Sequence, residues 1–545
     1  MHTVVRGAGA LGLIALLLTA ATGCQADSSS AAEPAPTSPA GGTSEPATGS
    51  ATGTANGSAT GTTAGSATGL AAQKLDWHAC AAPSTAQGSG TAPAADWQCA
   101  TLKAPLDHGK PDGRTIDLAL IRSRAKDEQQ RIGSLLFNFG GPGASGVATL
   151  PALAATYASL NTRYDLVSFD PRGVGASAGV ECLDDKAMDA GVAADATPDD
   201  PAGVKALDDS NARFVAACEH NSGPVLPYVD TESAARDMDL MRQVLGDRKL
   251  SYFGISYGTQ LGGVYAHLFP QEVGRLVLDS VVDPTKDPQQ FALGQAQGFQ
   301  LALDDFMKAC ATQVATSCPT GAGGEEGTAK VTALMRRLQQ SPLPTQDGRQ
   351  LTESLAVTGI AGALYSQETW PVLAAGLTEA MEQGTGTTLL QLADALNGRD
   401  AQGHYSNLNA ANRAISCVDA RQRYSDQDVE QQLPQFQAAS PVFGAYTAWG
   451  LTGCTGWPVP GKGDHPEVAA PGAAPILVVG TTGDPATPVE GARAMAQQLG
   501  AGIGVTVTLR GEGHGGYNTG NPCLKQTVDA YLLDGTVPAD GTTCG

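Results

Sequence analysis

The fold is decided by the stretch Gly254-Ile255-Ser256-Tyr257-Gly258, which has the pattern G-x-S-x-G. It closes an apolar run at 249–255 that is typical of a buried strand, and a helical pattern follows at 259–268. In this context the pattern predicts a sharp turn that carries a serine between a strand and a helix. Because the turn is tight, a side chain at either glycine would collide with the neighbouring strand and helix. We therefore expect Ser256 to be a nucleophile.

Strand and helix patterns alternate through the middle and the end of the chain. Short apolar runs bounded by turn residues predict strands at 116–121, 133–139, 164–169, 249–255, 275–282, 475–479 and 504–509. Most of these runs are separated by helical patterns. The alternation is typical of an α/β fold whose mainly parallel sheet has helices on both faces.

One long interval interrupts the alternation. About 190 residues separate Val282 from Pro475, whereas a crossover between parallel strands needs only a dozen or so. The interval is mostly helical in pattern, so we expect a cap domain inserted at 283–471. The core of the fold would then consist of 75–282 and 472–545.

A serine hydroxyl is a poor nucleophile without a base, and a strand-turn-helix serine has its partners in the order Ser, acid, His. Asp484 and His514 follow the last two predicted strands, where their side chains would emerge at the same edge of the sheet. Of the eight histidines, only His514 lies after Asp484. We expect Ser256, Asp484 and His514 to form a catalytic triad, with Glu512 as the alternative partner of the histidine.

Acyl transfer also needs two backbone amides that stabilise the developing oxyanion. The first is the amide after the nucleophile, which belongs to Tyr257. The second is expected in Gly140-Gly141-Pro142-Gly143, which follows the predicted strand 133–139. Glycines let the backbone approach the substrate closely, and we assign this amide to Gly141.

Several motifs together resemble the exported tripeptidyl aminopeptidases of actinobacteria, in the proline-iminopeptidase-like branch of the α/β hydrolases. Besides the Asp484 and His514 loops, they are Phe139-Gly140-Gly141-Pro142-Gly143, Asp170-Pro171-Arg172-Gly173-Val174-Gly175-Ala176-Ser177, Ser251-Tyr252-Phe253-Gly254-Ile255-Ser256-Tyr257-Gly258-Thr259 and Leu278-Asp279-Ser280-Val281-Val282-Asp283-Pro284. The similarity extends from about residue 75 to the C-terminus. It implies an α/β-hydrolase fold whose large helical cap is inserted after the sixth core strand.

The resemblance also implies an activity. It indicates a serine exopeptidase that releases short peptides, tripeptides in this family, from free N-termini without a metal or organic cofactor. Relatives in the same branch are carboxylesterases of the cell envelope, so an esterase with the same triad is the alternative. A peptide-binding lipoprotein without catalysis is a third hypothesis, and the presence of all three triad residues argues against it.

An aminopeptidase must hold the ammonium group of its substrate, and carboxylates suit that role. Asp419 and Glu181 are the candidates because each lies within two residues of a cysteine that could hold its loop. For either residue, a solvated surface carboxylate is the alternative.

The N-terminal 24 residues predict export. Arg6 precedes an apolar run at 11–18 that is too short to span a bilayer, as in a secretory signal. The run leads to Ala21-Thr22-Gly23-Cys24, which resembles a bacterial lipobox, so Cys24 is expected to be lipidated; ordinary signal cleavage is the alternative. The stretch 25–74 is rich in Ala, Thr, Gly, Ser and Pro and predicts a disordered tether. We expect an extracytoplasmic protein anchored to the cell membrane or released to the medium.

Charge and cysteine content agree with this location. The chain has 33 Lys and Arg against 54 Asp and Glu, a net charge of −21, which disfavours a nucleic-acid partner. Ten cysteines remain after Cys24, and an even number in an exported chain favours five disulfides. Sequential pairing is the simplest connectivity. No C-x-x-C or H-E-x-x-H motif indicates a metal site.

We predict that the mature protein begins at a diacylated Cys24 and partitions with membranes, because the lipobox is followed by a tether rather than by a fold. Mass spectrometry of the N-terminal peptide should find the lipidated cysteine. An unmodified N-terminus at another residue would refute the anchor, although export would survive that result.

Overall fold

The computed structural model describes residues 67–314 and 318–545. The predicted signal peptide, Cys24 and most of the predicted tether lie outside these residues. The strands are β1 (His78–Ala79), β2 (Trp97–Pro105), β3 (Thr115–Ser123), β4 (Gly133–Asn138), β5 (Tyr164–Phe169), β6 (Leu250–Ile255), β7 (Val273–Asp279), β8 (Leu343–Pro344), β9 (Gln350–Leu351), β10 (Ile476–Gly483), β11 (Gly504–Glu512) and β12 (Thr542–Cys544).

Ten of these strands form one sheet in the order β1-β2-β3-β5-β4-β6-β7-β10-β11-β12. β1, β2 and β3 pair antiparallel at one edge, and β3 pairs antiparallel with β5. From β5 to β12 every pairing is parallel. The predicted mainly parallel sheet is therefore confirmed.

All seven predicted strands are present; β5 has the predicted ends, and the other six have shifted ends. β7 stops at Asp279 rather than at 282, because Ser280 has a φ of 57° that breaks the extended backbone. β2 was not predicted, since its sequence WQCATLKAP mixes polar residues with apolar ones. β1 and β12 are too short to give a periodic signal.

Helices cover both faces of the sheet. They are α1 (Ala67–Ala71), α2 (Gly146–Ala152), α3 (Asp185–Ala193), α4 (Pro201–Ser222), α5 (Thr231–Leu245), α6 (Tyr257–Leu268), α7 (Pro288–Ala309), α8 (Gly324–Gln340), α9 (Glu353–Leu364), α10 (Trp370–Thr378), α11 (Thr387–Asn397), α12 (Leu408–Asp419), α13 (Asp426–Ala439), α14 (Gly444–Trp449), α15 (Glu490–Leu499) and α16 (Pro522–Asp529). Apolar residues of α5, α6 and α15 fill the core on one face, and those of α2 and α16 fill it on the other. No helix within the described residues combines the length and the apolar character needed to span a membrane.

A large helical insertion separates β7 from β10, as expected. Six full-length strands, β2 to β7, precede it, and it contains α7 to α14 and the hairpin of β8 and β9. Its helices α7 to α11 share a hydrophobic core of their own. Apolar residues of α12 instead belong to the main hydrophobic core, which also contains residues of α5, α6 and α15 on one face of the sheet. Because α12 packs in this way, the cap limits at 283 and 471 stay a prediction.

The fold begins earlier in the chain than the predicted tether allows. Leu70 in α1 is buried in the main core, and Gln73 bonds the backbone of Lys103 in β2 through both its amide nitrogen and its amide oxygen, each at 2.9 Å. Residues 67–74 therefore belong to the folded unit, and the prediction of disorder over 25–74 is wrong at this end. A single buried leucine in a small-residue stretch gives too little periodicity to be seen in the sequence.

Ten cysteines form five disulfides with sequential pairing, namely Cys80 with Cys99, Cys182 with Cys218, Cys310 with Cys318, Cys417 with Cys454 and Cys523 with Cys544. The pairing that was simplest from the sequence is thus the one observed. Disulfides persist in oxidising compartments, so these bonds indicate an extracytoplasmic protein.

These ten cysteines should contain no free thiol in native protein made in an oxidising compartment. Thiol titration after denaturation without a reductant measures this directly. Two or more titratable thiols would contradict the five bonds.

Candidate active site

Ser256 lies in the turn between β6 and α6 with φ 58° and ψ −127°. Its amide donates to the carbonyl oxygen of Asp279 at 3.1 Å, which joins the turn to β7. A Cβ atom at Gly254 would lie 2.3 Å from the carbonyl oxygen of Gly258, and one at Gly258 would lie 2.6 Å from that of Asn138 in β4. Both glycines are therefore required by close backbone contacts, and the serine is fixed at the carboxyl edge of the sheet.

The structure brings together the predicted acid and base. His514 Nδ1 lies 2.9 Å from Oδ1 and 3.0 Å from Oδ2 of Asp484, which is buried. The amides of Ala486 and Thr487 donate to the same carboxylate, at 3.0 and 2.9 Å, and hold it in place. Burial opposes the charge of the imidazole, but the Asp484 carboxylate outweighs burial and keeps the pKa of His514 above its usual value.

The hydrogen bonds of the His514 ring go to Asp484 and Thr487, and not to the alternative partner Glu512. Burial raises the pKa of Glu512 to about 7. No hydrogen bond joins Ser256 Oγ to His514 among the described residues. Bonds of this kind are commonly long before the substrate binds, so the free site does not exclude their formation.

The sequence analysis assigned no role to two residues that position the loop of His514. The buried carboxylate of Asp279, at the end of β7, accepts from the amides of Gly516 and Tyr517 at 3.0 and 2.9 Å, and burial raises its pKa to about 6. The carbonyl oxygen of Tyr365 in the cap accepts from the His514 amide at 2.9 Å, and the two rings meet edge to face. An acid at the end of an apolar strand was a signal for Asp279, whereas nothing local marked Tyr365.

The two amides predicted to bind the oxyanion lie beside the serine. A Cβ atom at Gly140 would be 2.8 Å from Ser256 Cβ and 3.1 Å from the Tyr257 nitrogen, so this loop packs against the turn. The Gly140 amide already donates a hydrogen bond to Oδ1 of Asn138 at 3.0 Å, so it is not available for an oxyanion. Within the described chain, the amides of Gly141 and Tyr257 donate no hydrogen bond, and both residues line the cavity in front of Ser256.

That cavity has a volume of about 950 Å³ and lies between the sheet edge and the insertion. Asp419, at the end of α12, lines it. Its Oδ1 accepts from the Thr231 amide at 2.9 Å and its Oδ2 from the Thr231 hydroxyl, which lies 2.6 Å from the hydroxyl of Tyr257. Burial raises the pKa of Asp419 to about 7.

Glu181 is not part of this cavity, and its prediction as an ammonium ligand is wrong. Its side chain is exposed, while its amide and carbonyl groups bond the hydroxyl of Ser222 at 2.8 and 3.1 Å. The disulfide of Cys182 does fix this backbone, but it holds it against α4. The neighbouring cysteine therefore fixes the backbone position of Glu181, but not the direction of its side chain. Within the described residues, no cluster of His, Cys, Asp and Glu side chains offers a metal site.

Comparison with known proteins agrees with this geometry. The family described as TAP-like protein matches residues 440–544, and the family described as alpha/beta hydrolase fold matches residues 133–320. Serine protease Hip1 of Mycobacterium tuberculosis is 37% identical over 463 residues, which cover 82% of this chain and 87% of that protein. The chain belongs to the TAP-like family of α/β hydrolases. It is a serine hydrolase.

Other members of the TAP-like family carry different activities in their names. Carboxylesterase B of Mycobacterium tuberculosis is 36% identical over 82% of this chain and 86% of its own length. Tripeptidyl aminopeptidase of Streptomyces coelicolor is 31% identical, with 86% of each chain covered. Identity alone therefore does not separate a peptidase from an esterase.

Gly258→Ala should lower both stability and activity, because the new Cβ atom would lie 2.6 Å from a backbone oxygen of β4. Overpacking of this kind costs about 1 to 3 kcal/mol. The matched control is Gly294→Ala in α7, where a Cβ atom meets nothing within 4 Å and helix propensity favours alanine by roughly 0.5 to 1 kcal/mol. Thermal unfolding and turnover of a chromogenic ester measure both effects. Equal melting temperatures of the two variants would contradict the tight turn.

Proposed function

We propose that this chain is a serine exopeptidase that releases short peptides, tripeptides in the first instance, from free N-termini through an acyl-enzyme on Ser256. The observation that carries the proposal is Asp419, a carboxylate that faces the same cavity as the serine and forms no ion pair within the described residues. The relatives named as a serine protease and as a tripeptidyl aminopeptidase support it.

In the proposed reaction the Ser256 hydroxyl attacks the carbonyl carbon of the scissile peptide bond. His514 takes the hydroxyl proton on Nε2 while Asp484 holds Nδ1 and stabilises the imidazolium. The amides of Gly141 and Tyr257 donate to the oxyanion of the tetrahedral intermediate. The imidazolium then gives the proton to the leaving amine, and a water molecule, activated by the same histidine, hydrolyses the acyl-enzyme.

Asp419 is proposed to bind the substrate's ammonium group. A carboxylate in a partly dehydrated cavity is costly to ionise, which is why its pKa is raised to about 7. An ammonium group brought by the substrate removes that cost. The hydroxyl of Thr231 connects this carboxylate to the phenol of Tyr257, the residue after the nucleophile, and Asp419 and Ser256 line the same cavity.

The insertion supports exopeptidase over endopeptidase action. The cavity wall combines core residues such as Ser256 and Thr487 with insertion residues such as Tyr365, Leu451 and Glu467. A chain end can enter a cavity walled on both sides more easily than an internal segment of a folded protein can.

A cell-envelope carboxylesterase with the same triad is the second candidate function. It is favoured by the 36% identity to the relative named Carboxylesterase B, nearly equal to the 37% identity to Serine protease Hip1. The same nucleophile, base and oxyanion amides serve esters and amides alike. The identity of the physiological substrate therefore depends on the cavity and not on the triad.

Export, a lipid anchor at Cys24 and the absence of a nucleic-acid partner complete the proposal. The five disulfides support the extracytoplasmic location. The proposed substrates are then peptides outside the cytoplasm that carry free N-termini.

Ser256→Ala and His514→Ala should each lower kcat by at least about 10⁴-fold, because the pair acts as one unit. Asp484→Asn should have an effect of similar size, since the imidazole loses its orienting carboxylate. His220→Ala, at the exposed end of α4, is the matched histidine control and should retain turnover. Circular dichroism and thermal unfolding establish that each variant is folded. Turnover near the native level in a folded Ser256→Ala protein would refute the mechanism.

Peptides with a free N-terminus should be cleaved at least about tenfold better than their acetylated forms, a difference of about 1.4 kcal/mol. Asp419→Asn should remove this preference, whereas Asp464→Asn, a cavity carboxylate paired with Arg421, should keep it. Steady-state kcat/KM for the matched peptides gives both ratios. A preference that survives Asp419→Asn would exclude Asp419 as the ammonium ligand.

The pH dependence provides a further check on Asp419. Its raised pKa means that the free carboxyl group gains its proton as the pH falls through about 7. The KM of free-amine peptides should therefore rise below pH 7, whereas the KM of a neutral ester should stay unchanged over the same pH range. Parallel KM profiles for the two substrates would contradict this assignment.

A further inference from the structure

Arg413 is a cation in the cavity wall that has no carboxylate partner in the described part of the chain. It lies on α12 and lines the same cavity as Ser256. Its Nη1 donates to Oδ1 of Asn211 at 3.2 Å, and its guanidinium lies 4.3 Å from the centre of the Phe214 ring. Burial lowers the pKa of Arg413 to about 10, so the side chain stays charged at neutral pH.

A partly dehydrated guanidinium without a carboxylate partner is unfavourable unless another group compensates its positive charge. A guanidinium has five N–H donors, and the contact with Asn211 uses one of them. The aromatic ring supplies part of the lost hydration energy. Partly dehydrated charges in proteins are normally paired, so a cation that faces a substrate cavity without an anion is suited to an anion from the substrate.

The position of Arg413 relative to Asp419 suggests what that anion is. The two residues are six positions apart on α12, which corresponds to about 9 Å along the helix axis. An extended peptide rises about 3.3 Å per residue, so about three residues span the same length. The N-terminal side of α12 also contacts the oxyanion loop, because Asn412 Nδ2 donates to the carbonyl oxygen of Pro142 at 3.1 Å.

We propose that Arg413 binds a carboxylate of the substrate, so that the cavity selects short peptides with an ammonium group and a carboxylate about three residues apart. This inference rests on the proposed exopeptidase function and names its substrate class. The carboxylate has two possible sources: an Asp or Glu side chain of the peptide, or the α-carboxylate at the C-terminus of a short peptide.

Gly453 leaves the space beside the guanidinium free. A Cβ atom built on it would lie 3.6 Å from Nε and 3.7 Å from Nη2 of Arg413, and Gly453 also lines the cavity. A branched side chain at this position would cover the guanidinium without removing its charge. Gly453→Val is therefore a second variant that is expected to block the proposed site while Arg413 itself is unchanged.

The test measures peptide binding by calorimetry to the folded Ser256→Ala protein, so that the result does not depend on turnover. Four free-amine tetrapeptides of one parent sequence form two arms. In the first, Glu at the third residue is compared with Gln while the C-terminus is amidated. In the second, Gln is kept and a free C-terminal carboxylate is compared with the amide.

We expect at least tenfold tighter binding of the carboxylate form in one of the two arms, and the arm that responds identifies the source of the carboxylate. Arg413→Gln and Gly453→Val should each abolish that ratio, whereas Arg413→Lys should keep part of it. Should Arg413→Gln fail to fold, Gly453→Val and the native ratio still test the site.

Equal affinities in both arms, with binding of the free-amine peptides intact, would overturn the anion site and leave the exopeptidase proposal standing. A ratio that persists in Gly453→Val and Arg413→Gln would also overturn it. Failure of all four peptides to bind would overturn both the anion site and the exopeptidase proposal.

Discussion

The backbone of Ser256 occupies a region of φ and ψ that side-chain-bearing residues rarely adopt, at a cost of about 1 to 3 kcal/mol. Close packing sustains it: Gly254 approaches the start of α6, and Gly258 approaches the last residue of β4. The loop at Gly140 packs on the same turn from the other side. The turn therefore holds the hydroxyl at the sheet edge and also brings the oxyanion loop against it.

Parallel pairing then assembles the remainder of the site. β4, β6, β7, β10 and β11 all end at one edge of the sheet, so the loops that follow them must meet there. They bring the oxyanion loop, the serine, Asp279, Asp484 and the loop of His514 to that edge. The insertion supplies the ionisable groups of the opposite cavity wall. Its helix α12 packs into the main core and presents Arg413 and Asp419 to the cavity, so one helix carries two ionisable groups that form no ion pair within the described residues.

Seven of the strands, the sharp turn at Ser256 and the contact of Asp484 with His514 could be predicted because each depends on local features, namely apolar runs, glycines and position after a strand. Strand β2 and helix α1 could not be predicted, since the mixed polar and apolar residues of β2 and the single buried leucine of α1 leave little periodicity. Glu181 was mistaken because a neighbouring disulfide fixes backbone position but not side-chain direction. Tyr365 and Arg413 come to line the cavity only through contacts between distant parts of the chain, which periodicity and spacing do not encode.

We propose that Ser256 is a nucleophile activated by His514. Labelling with a fluorophosphonate probe, followed by mass spectrometry of the digested protein, tests it most directly. We expect one adduct per chain, located on Ser256, and at least about a hundredfold slower labelling in a folded His514→Ala variant. An adduct on another residue, or labelling of Ser256 at an unchanged rate without His514, would contradict this mechanism.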